Sequence, residues 1–461
     1  MAQPISLNTV QFTNLALFKK NNAASTPVSN PIANIGLPYV SKFSAVGQPK
    51  TKLNDSEKQK YIKLLDTLKN APISENSLGL TPSKQLDALL KNGKLLSTSS
   101  HDGSTVLDNL YLIATTERAY GLDSTTLISN TLDLLCNPRF VTQTFGDIPN
   151  NLQAKIAQKI SPDNPVKANP SEMNVSASGT CAAASIEVNM ADKYPAEFAR
   201  WVEGLSSAKK ELTLDVKLSS ICKNKLEAIE ILKLLQANQK GFDFSSVKIK
   251  VDADEGAYAR AYVQNNYWNK GERNVADVLI QSAIMKLGSQ NTYNSLNDTR
   301  LNNANPQGLI EVEKTFVESL IKNKEITSLV YQQIDEEQNL VGYNCSFDKI
   351  QKHITDTIDS GDDVILGYVS TNESEGYTKV VGYDKAIHGA ANKVINGHEI
   401  TVIDYYKDEN GKVVFVCVDT DDNNPELVQY SADWLLPKIH HAGYPAKIVE
   451  ADEKEIMKNM I

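Results

Sequence analysis

The chain has 461 residues, of which 41% are apolar and 22% are charged, a composition typical of globular proteins with material for about three domains. It excludes a fibrous or wholly disordered protein. The formal net charge of -9 argues against nucleic acid or an anionic membrane surface as the main partner. No apolar run approaches the roughly 18 residues of a membrane span, and the N-terminus shows no signal-peptide pattern. The sequence therefore predicts a soluble protein, cytoplasmic or exported without a classical signal peptide.

Five cysteines lie far apart in the chain, with an odd total and no CxxC pair. This pattern argues against a disulfide framework and against a cysteine-rich zinc site. A reducing compartment is the simplest setting for such a chain. Each cysteine is then either a small buried hydrophobe, which is the default, or a reactive thiol.

The first 165 residues divide into two parts by composition. Residues 1–54 are rich in Asn, Ser, Pro and Gly without sustained hydrophobic periodicity, which predicts a flexible N-terminal segment. Residues 55–165 are predicted to form a helical domain, in which Thr105 or Ser104 caps one helix and Asp123 caps the next. This domain is either an inhibitory propiece or a substrate-docking module, and the sequence does not choose between the two.

A polar, proline-containing stretch at 161–180 leads into the rest of the chain. Apolar periodicity beyond it predicts helices near 181–192, 195–205, 223–237, 274–287 and 309–323, with a strand at Val247–Val251. In the last third, a helix that begins near Phe347 is followed by the strand VILGYV. The segments EITVIDYY and KVVFVCVD then predict a hairpin around an Asn-Gly turn.

Cys181 is the first candidate for chemistry. It lies in SASGTCAAASIEV, where small polar residues give way to strong helix formers, so we expect the thiol in the first turn of a helix. The unpaired N–H groups and the helix dipole favour a thiolate at that position. The alternative is an inert core cysteine, because free cysteines are often simply buried.

His398 in the predicted hairpin is the second candidate. If the turn centres on Asn410 and Gly411, His398 lies opposite position 423 of the partner strand, and if it centres one residue earlier, His398 lies opposite position 421. Because side chains alternate between faces, both registers place Asp419 and Asp421 on the side of His398. A carboxylate that orients an imidazole makes it the base that a thiol nucleophile needs. The alternative is a surface histidine after a turn, but a position at a loop-to-strand junction favours a site residue.

Other candidate sites are weaker. The acidic run that begins at Asp419 lacks the Gly and Glu positions of an EF-hand calcium loop. His440 and His441 are adjacent, so a regular strand would point them to opposite faces, and no nearby Cys or His has the spacing of a zinc site. The segment around His398 lacks the second His of HExxH, and no Walker A, GxGxxG or GxSxG motif is present. We therefore expect no metal and no organic cofactor.

Three segments together resemble the papain-like cysteine peptidases. They are GTCAAAS at the nucleophile helix, VILGYV before a long loop, and NGHEITVIDYYKDENGKVVFVCVDTDD for the hairpin. The most similar branch is the bacterial one that includes bacteriocin-leader-processing peptidases, and the resemblance covers residues 170–192 and 346–422. It implies an α+β, papain-like fold within residues 166–461. A helical lobe would carry the Cys helix, an antiparallel sheet would carry His and Asp, and the N-terminal helical domain would be an addition.

The resemblance also implies roles for individual residues. Cys181 would be the nucleophile, His398 the base and Asp419 the residue that orients it, with Asp421 in reserve. The family usually supplies an oxyanion-hole Gln about six residues before the nucleophile; here that position is Val175, so Asn174 is the expected donor. The spacing between Cys181 and His398 exceeds that of a minimal papain-like domain, which implies a helical insertion at about 209–340.

The leading hypothesis is a cysteine peptidase that acts on peptide or protein amide bonds by thiol acyl transfer, without a cofactor. Two alternatives stay open. A catalytically inactive papain-like scaffold would bind protein partners, because a fold does not fix a function. A transglutaminase-type acyltransferase would use the same Cys-His-Asp triad. The sequence does not indicate the substrate or the oligomeric state.

Overall fold

The protein has an α+β fold in which helices surround an antiparallel sheet. This computed structural model describes residues 50–144, 179–222, 245–268, 271–289, 291–296, 298–300, 308–336, 338–371, 394–421 and 427–459. The sequence prediction of an α+β class is confirmed at this level.

Four helices form the N-terminal part of the described chain: α1 (Asp55–Leu68), α2 (Pro82–Lys91), α3 (Val106–Thr115) and α4 (Ser124–Cys136). Their N-termini follow the capping residues that the sequence predicts. The Thr105 side chain accepts a hydrogen bond from the backbone N–H of Asp108, and Asp123 does the same for Thr126. Helix α3 ends at Thr115.

The middle of the chain is mixed rather than purely helical. Its elements are α5 (Cys181–Lys193), α6 (Pro195–Ser206), β1 (Glu211–Lys217), β2 (Ser246–Asp252), α7 (Glu255–Tyr267), α8 (Val275–Gly288) and α9 (Glu311–Lys322). Strands β1 and β2 pair antiparallel, with Leu214 opposite Ile249. The predicted helix at 223–237 lies outside the described residues. The sequence analysis did not predict strand β1 or helix α7.

The last third contains the main sheet. Its elements are β3 (Ile326–Val330), β4 (Gln332–Ile334), β5 (Leu340–Tyr343), α10 (Phe347–Asp359), β6 (Val364–Thr371), β7 (Val394–Lys407), β8 (Val413–Val418), β9 (Val428–Ser431), β10 (Ile439–Pro445) and α11 (Ala446–Asn459). Six strands form the sheet in the order β9-β8-β7-β6-β10-β3, and each neighbouring pair is antiparallel. Strand β3, which falls within the expected helical insertion, is therefore an edge strand of this sheet.

Shorter elements connect these. They are the helical turns Glu75–Ser77, Lys94–Leu96, Pro138–Phe140, Leu218–Ile221, Ala432–Leu435 and Leu436–Lys438, and the paired two-residue strands Tyr293–Asn294 and Thr299–Arg300. Within the described residues, every helix is too short or too polar to cross a membrane.

Two hydrophobic clusters flank the main sheet. Ile365, Ile403 and Val416 belong to the cluster that includes α5, α6 and the four N-terminal helices. Val364 and Val402 belong to the other, with side chains of α10 and α11. The alternation of strand side chains therefore buries both faces of the central strands. Helix α5 lies in the first cluster, where Ala182, Ala183 and Ala184 are fully buried.

A β-bulge changes the register of the β7–β8 hairpin. Near the turn Val416 lies opposite Asp404, but the next pair is Cys417 opposite Val402. The register that the sequence predicts therefore applies only beyond the bulge, on the side where His398 and Asp419 lie.

Candidate active site

Cys181 is the first residue of α5, in the first helical turn as the sequence predicts. Its side chain is largely covered and keeps 8% of its exposure. The three alanines that follow are fully buried, so the helix packs closely against its neighbours. The helix N-terminus places backbone N–H groups and the positive end of the dipole beside the thiol.

His398 and Asp419 form a direct hydrogen bond between neighbouring strands. The ring Nε2 of His398 lies 2.7 Å from Oδ1 of Asp419. His398 is on β7, while Asp419 directly follows the end of β8. The same Asp419 oxygen accepts a hydrogen bond from the backbone N–H of Asp421 at 3.1 Å. The carboxylate is therefore held from two directions and fixes the orientation of the imidazole.

The thiol of Cys181 lies close to the His398 side chain. With Nε2 bound to Asp419, Nδ1 is the atom left for a reaction partner. Nδ1 is buried and makes no well-aligned hydrogen bond to the described residues. Cys181 nevertheless lies close enough for its thiol to raise the pKa of His398 through a side-chain hydrogen bond and through charge. Long or poorly aligned contacts of this kind are common in active sites without substrate.

The electrostatics of the pair favour a charged imidazole. Burial lowers the pKa of His398, but the charge of Asp419 and its hydrogen bond outweigh burial, so that the pKa rises well above its ordinary value. Burial raises the pKa of Asp419, and the charge and hydrogen bond of His398 lower it to below the usual range. The two groups thus stabilise each other as imidazolium and carboxylate.

Aromatic side chains cover the histidine. Tyr368 lies opposite His398 in the β6–β7 pairing, and the two rings are edge to face with centroids 5.8 Å apart. Trp434 packs edge-on against Tyr368 at 6.2 Å and stacks on Tyr430 at 4.6 Å. Tyr368 therefore covers one side of the imidazole and is itself supported by Trp434. The sequence analysis missed them, because their positions follow from the strand order.

The loop that carries Asp419 is tied to the end of the N-terminal helices. The backbone N–H of Gln143 donates to the carbonyl of Thr420 at 3.0 Å, and the Thr142 hydroxyl donates to the same carbonyl at 3.2 Å. The Gln143 side chain also donates to Oδ1 of Asp421 at 2.6 Å. Asp421, the reserve candidate, therefore binds Gln143, while Asp419 binds the histidine.

The start of α5 is fixed by buried polar groups. The backbone N–H of Gly179 donates to Asp298 at 3.1 Å. The Thr180 hydroxyl donates to Oε1 of Gln281 at 3.3 Å and accepts from the guanidinium of Arg273. Arg273 is fully buried and also donates to the carbonyl of Gln143 at 2.7 Å. One arginine thus connects the Cys181 helix with the segment that holds the Asp419 loop.

A buried carboxyl group of α5, Glu187, lies close to a second one, Asp277 of α8. Gln281 donates from Nε2 to Oε2 of Glu187 at 2.9 Å. Burial raises the pKa of Glu187 well above its usual value, and the charge of nearby Asp277 raises it further. Burial likewise raises the pKa of Asp277 to about 7. A pair of this kind shares protons at neutral pH, because two adjacent buried charges are costly.

The remaining sequence candidates have different outcomes. Asn174, the expected oxyanion donor, lies outside the described residues. Burial raises the pKa of Cys417 well above the usual thiol value, which fits the core position that we expect for it. The expectation that His440 and His441 point apart is wrong, because a bulge in β10 brings their Nδ1 atoms to 2.9 Å.

The structure thus pairs His398 with Asp419 and places Cys181 close to the histidine, while the Asp421 side chain binds Gln143. Comparisons of this chain with protein-family models, with curated proteins and with solved structures give no match.

Proposed function

We propose that the chain is a cysteine peptidase of papain-like architecture, in which Cys181 is the nucleophile. A helix that starts with the nucleophile and an antiparallel sheet that carries the base and its carboxylate form the two halves of the site. The observation that carries the proposal is the arrangement around His398. Its Nε2 binds Asp419 at 2.7 Å, and its Nδ1 is left for the thiol of Cys181. Geometry of this type defines a catalytic triad more reliably than sequence position does.

In the proposed reaction His398 first takes the proton of the Cys181 thiol on Nδ1. The thiolate attacks the carbonyl carbon of an amide and forms a tetrahedral oxyanion. The C–N bond then breaks, the amine leaves with the proton from Nδ1, and a thioester remains on Cys181. A water molecule, deprotonated by His398, hydrolyses the thioester and restores the thiol. Asp419 keeps its negative charge throughout and stabilises each imidazolium state.

The helix N-terminus supplies the oxyanion site in this proposal. The backbone N–H of Cys181 belongs to the first turn, where N–H groups have no partner within the helix. A donor at this position acts on the developing negative charge and is worth about 3 kcal/mol in related acyl-transfer sites. Asn174 is proposed as the second donor on the basis of its place in the sequence.

The experiment that tests the proposal is site-resolved alkylation by iodoacetamide between about pH 4 and 9, in the full chain and in His398→Ala. We expect Cys181 to react at about pH 6, where an ordinary cysteine is mostly thiol, and to lose this reactivity in the variant. Cys417 and Cys136 are internal controls, because burial raises their pKa, for Cys136 to about 12. Equal behaviour of Cys181 in both proteins would overturn the proposal.

Product analysis separates peptidase from transferase. Unfolded β-casein incubated with the wild type should give new N-termini that Cys181→Ser does not produce. Ammonia release with incorporation of an added primary amine would instead support a glutamine-directed transglutaminase. A reactive Cys181 that yields neither product would leave the binding scaffold as the better description.

A further inference from the structure

Three metal-ligand side chains outside the proposed triad form a cluster at the start of α9 and in β10. Nδ1 of His440 and Nδ1 of His441 lie 2.9 Å apart. Oε1 of Glu311 lies 3.3 Å from the first of these nitrogens and 3.6 Å from the second. The three potential ligand atoms therefore all lie within 4.8 Å of one another.

The β-bulge in β10 explains how two adjacent histidines reach the same point. Ile439 lies opposite Tyr368 in β6, but His441 lies opposite Gly367, so His440 is an extra residue in its strand. A bulge of this kind turns a side chain out of the regular alternation and is common beside functional sites. Both histidines are almost fully buried, whereas the Glu311 side chain keeps 21% of its exposure.

The spacing of the three atoms fits a tetrahedral metal ion. Zinc binds His nitrogen and carboxylate oxygen at about 2.0 to 2.2 Å, which places neighbouring tetrahedral ligands about 3.3 Å apart. The observed separations of 2.9, 3.3 and 3.6 Å bracket this value. Two imidazoles and one carboxylate are also a common ligand set of zinc sites with an open position.

A second layer of contacts orients one of the ligands. Nε2 of His441 lies 2.6 Å from Oε1 of Glu399, a contact that is short though poorly aligned in this rotamer. The other oxygen of Glu399 accepts a hydrogen bond from the buried Lys314 at 2.8 Å. A carboxylate behind the distal nitrogen of a histidine fixes the ring so that the near nitrogen binds metal. Nδ1 of His441 is therefore the atom presented to the ion.

Gly367 provides the space for that second layer. It lies in β6 between His441 of β10 and Glu399 of β7. A Cβ atom at this position would be 2.3 Å from Cε1 of His441 and 2.8 Å from Oε1 of Glu399. A side chain here would separate the histidine from its carboxylate, so glycine is required for the arrangement.

We propose that Glu311, His440 and His441 bind a zinc ion, with a fourth coordination position open to water or to an external ligand. Partial exposure of Glu311 gives the ion a route from solvent. The nitrogen ligands disfavour Mg²⁺ and Ca²⁺, which prefer oxygen. The proposal does not depend on the peptidase proposal, because none of its ligands belongs to the Cys181 site.

The test is zinc binding by the full chain after removal of metal with a chelator. Titration with Zn²⁺ alone should show one ion bound per chain. Glu311→Gln and His441→Ala should each weaken binding at least about tenfold, since loss of a hydrogen-bond partner of a ligand alone costs about 10- to 100-fold. Glu255→Gln is the matched control: Glu255 begins α7 as Glu311 begins α9, and its replacement should leave binding unchanged.

A second readout locates the ion. Co²⁺ at the proposed site should give the visible bands of tetrahedral cobalt without a thiolate charge-transfer band, and Cys181→Ser should leave this spectrum unchanged. Binding that survives in Glu311→Gln and His441→Ala but disappears in Cys181→Ser would place the ion at Cys181 and overturn the proposal. Absence of stoichiometric zinc would also overturn it and would identify a metal-free, hydrogen-bonded histidine pair. Glu311→Gln keeps the test decisive if His441→Ala does not fold.

Discussion

The side-chain hydroxyl of Thr401 donates a hydrogen bond of 3.1 Å to the backbone carbonyl of Ser185. Thr401 lies three residues after His398 in β7, and Ser185 lies four residues after Cys181 in α5. Both groups are fully buried. This bond therefore joins the strand that carries the proposed base to the helix that carries the proposed nucleophile, within one helical turn of the thiol.

Thr401→Val should weaken the alignment of Cys181 with His398 while the fold persists. We expect several-fold slower alkylation of Cys181 at about pH 6 and a loss of about 1 kcal/mol in the free energy of unfolding, the usual net value of one hydrogen bond. The matched control is Thr401→Ser, which keeps the hydroxyl and should retain the alkylation rate. If Thr401→Val lowers stability without changing the pH profile of alkylation, the bond is structural and does not position the site.

Asp419→Asn should lower the pKa of His398, because the charge of Asp419 is the main influence that raises it. The imidazolium then loses its proton at lower pH, and alkylation of Cys181 at about pH 6 should fall about tenfold for each unit of that change. NMR titration of the His398 ring checks the pKa directly. In the wild type, the stability from the raised pKa is fully present below about pH 6.5 and is lost as pH rises through the folded-state value.

Asp421→Asn is the matched control for this change. Its side chain accepts a hydrogen bond from Gln143, while its backbone N–H, which the substitution keeps, binds Asp419. We expect the His398 titration to stay close to the wild type. A larger effect from Asp421→Asn than from Asp419→Asn would mean that the two carboxylates have the reverse roles.

Local signals in the sequence predict much of the fold near the site. Thr105 and Asp123 identify two helix starts through their side-chain caps, and the change from small residues to alanines places Cys181 in a first turn. The Asn-Gly turn identifies the hairpin that carries His398. Helix caps and tight turns are determined by residues that are close together in the chain, so they can be predicted from a single sequence.

Long-range pairing explains what the sequence does not predict. The pairing of β6 with β7 places Tyr368 beside His398, and Trp434 packs against Tyr368, although these residues are distant in the chain. The bulge in β10 adds one residue to the strand and so brings the side chains of His440 and His441 together. A prediction from the sequence assumes that side chains alternate strictly between the two faces of a strand, and it therefore misses this contact. Such details require the partner strands to be known.

The buried pair Glu187 and Asp277 should make stability fall as pH rises. Burial raises the pKa of Asp277 from 3.8 to about 7 and raises that of Glu187. The folded state therefore holds protons that the unfolded chain releases above about pH 4. The contribution to stability is full below that pH and is lost as pH rises through about 7. Urea unfolding between about pH 5 and 8 should show this decline, and Asp277→Asn should reduce it.

Asp108→Asn is the control for that measurement. Asp108 and Asp277 occupy the same position of a capping box, three residues after the helix caps Thr105 and Asn274 respectively. Burial raises the pKa of Asp108, but hydrogen bonds from Lys60 and Thr105 outweigh burial and lower it. The contribution of Asp108 to stability is therefore present above its unfolded-state pKa and is lost in acid. Asp108→Asn should thus leave the change in the free energy of unfolding between pH 5 and 8 as it is in the wild type. An equal change of slope in both variants would show that capping, and not the buried pair, is responsible.

The four N-terminal helices should stay bound to the rest of the protein after the chain is cut between α4 and α5. Lys94, fully covered beside α2, donates to the carbonyl of Ala191 at 3.3 Å and pairs with Asp192 at 3.3 Å, both in α5. Removing the helices would leave Asp192 without this partner and expose a hydrophobic cluster that includes α5 and α6.

A specific protease site introduced between residues 161 and 170 provides the test. After cleavage, the two fragments should elute together in size-exclusion chromatography and separate only in denaturant. Cys181 should keep its alkylation rate in the cleaved complex, because Gln143 still holds the loop beside Asp419. Uncut protein in the same buffer is the control. Release of a folded C-terminal fragment with faster alkylation of Cys181 would instead identify the N-terminal part as an inhibitory propiece.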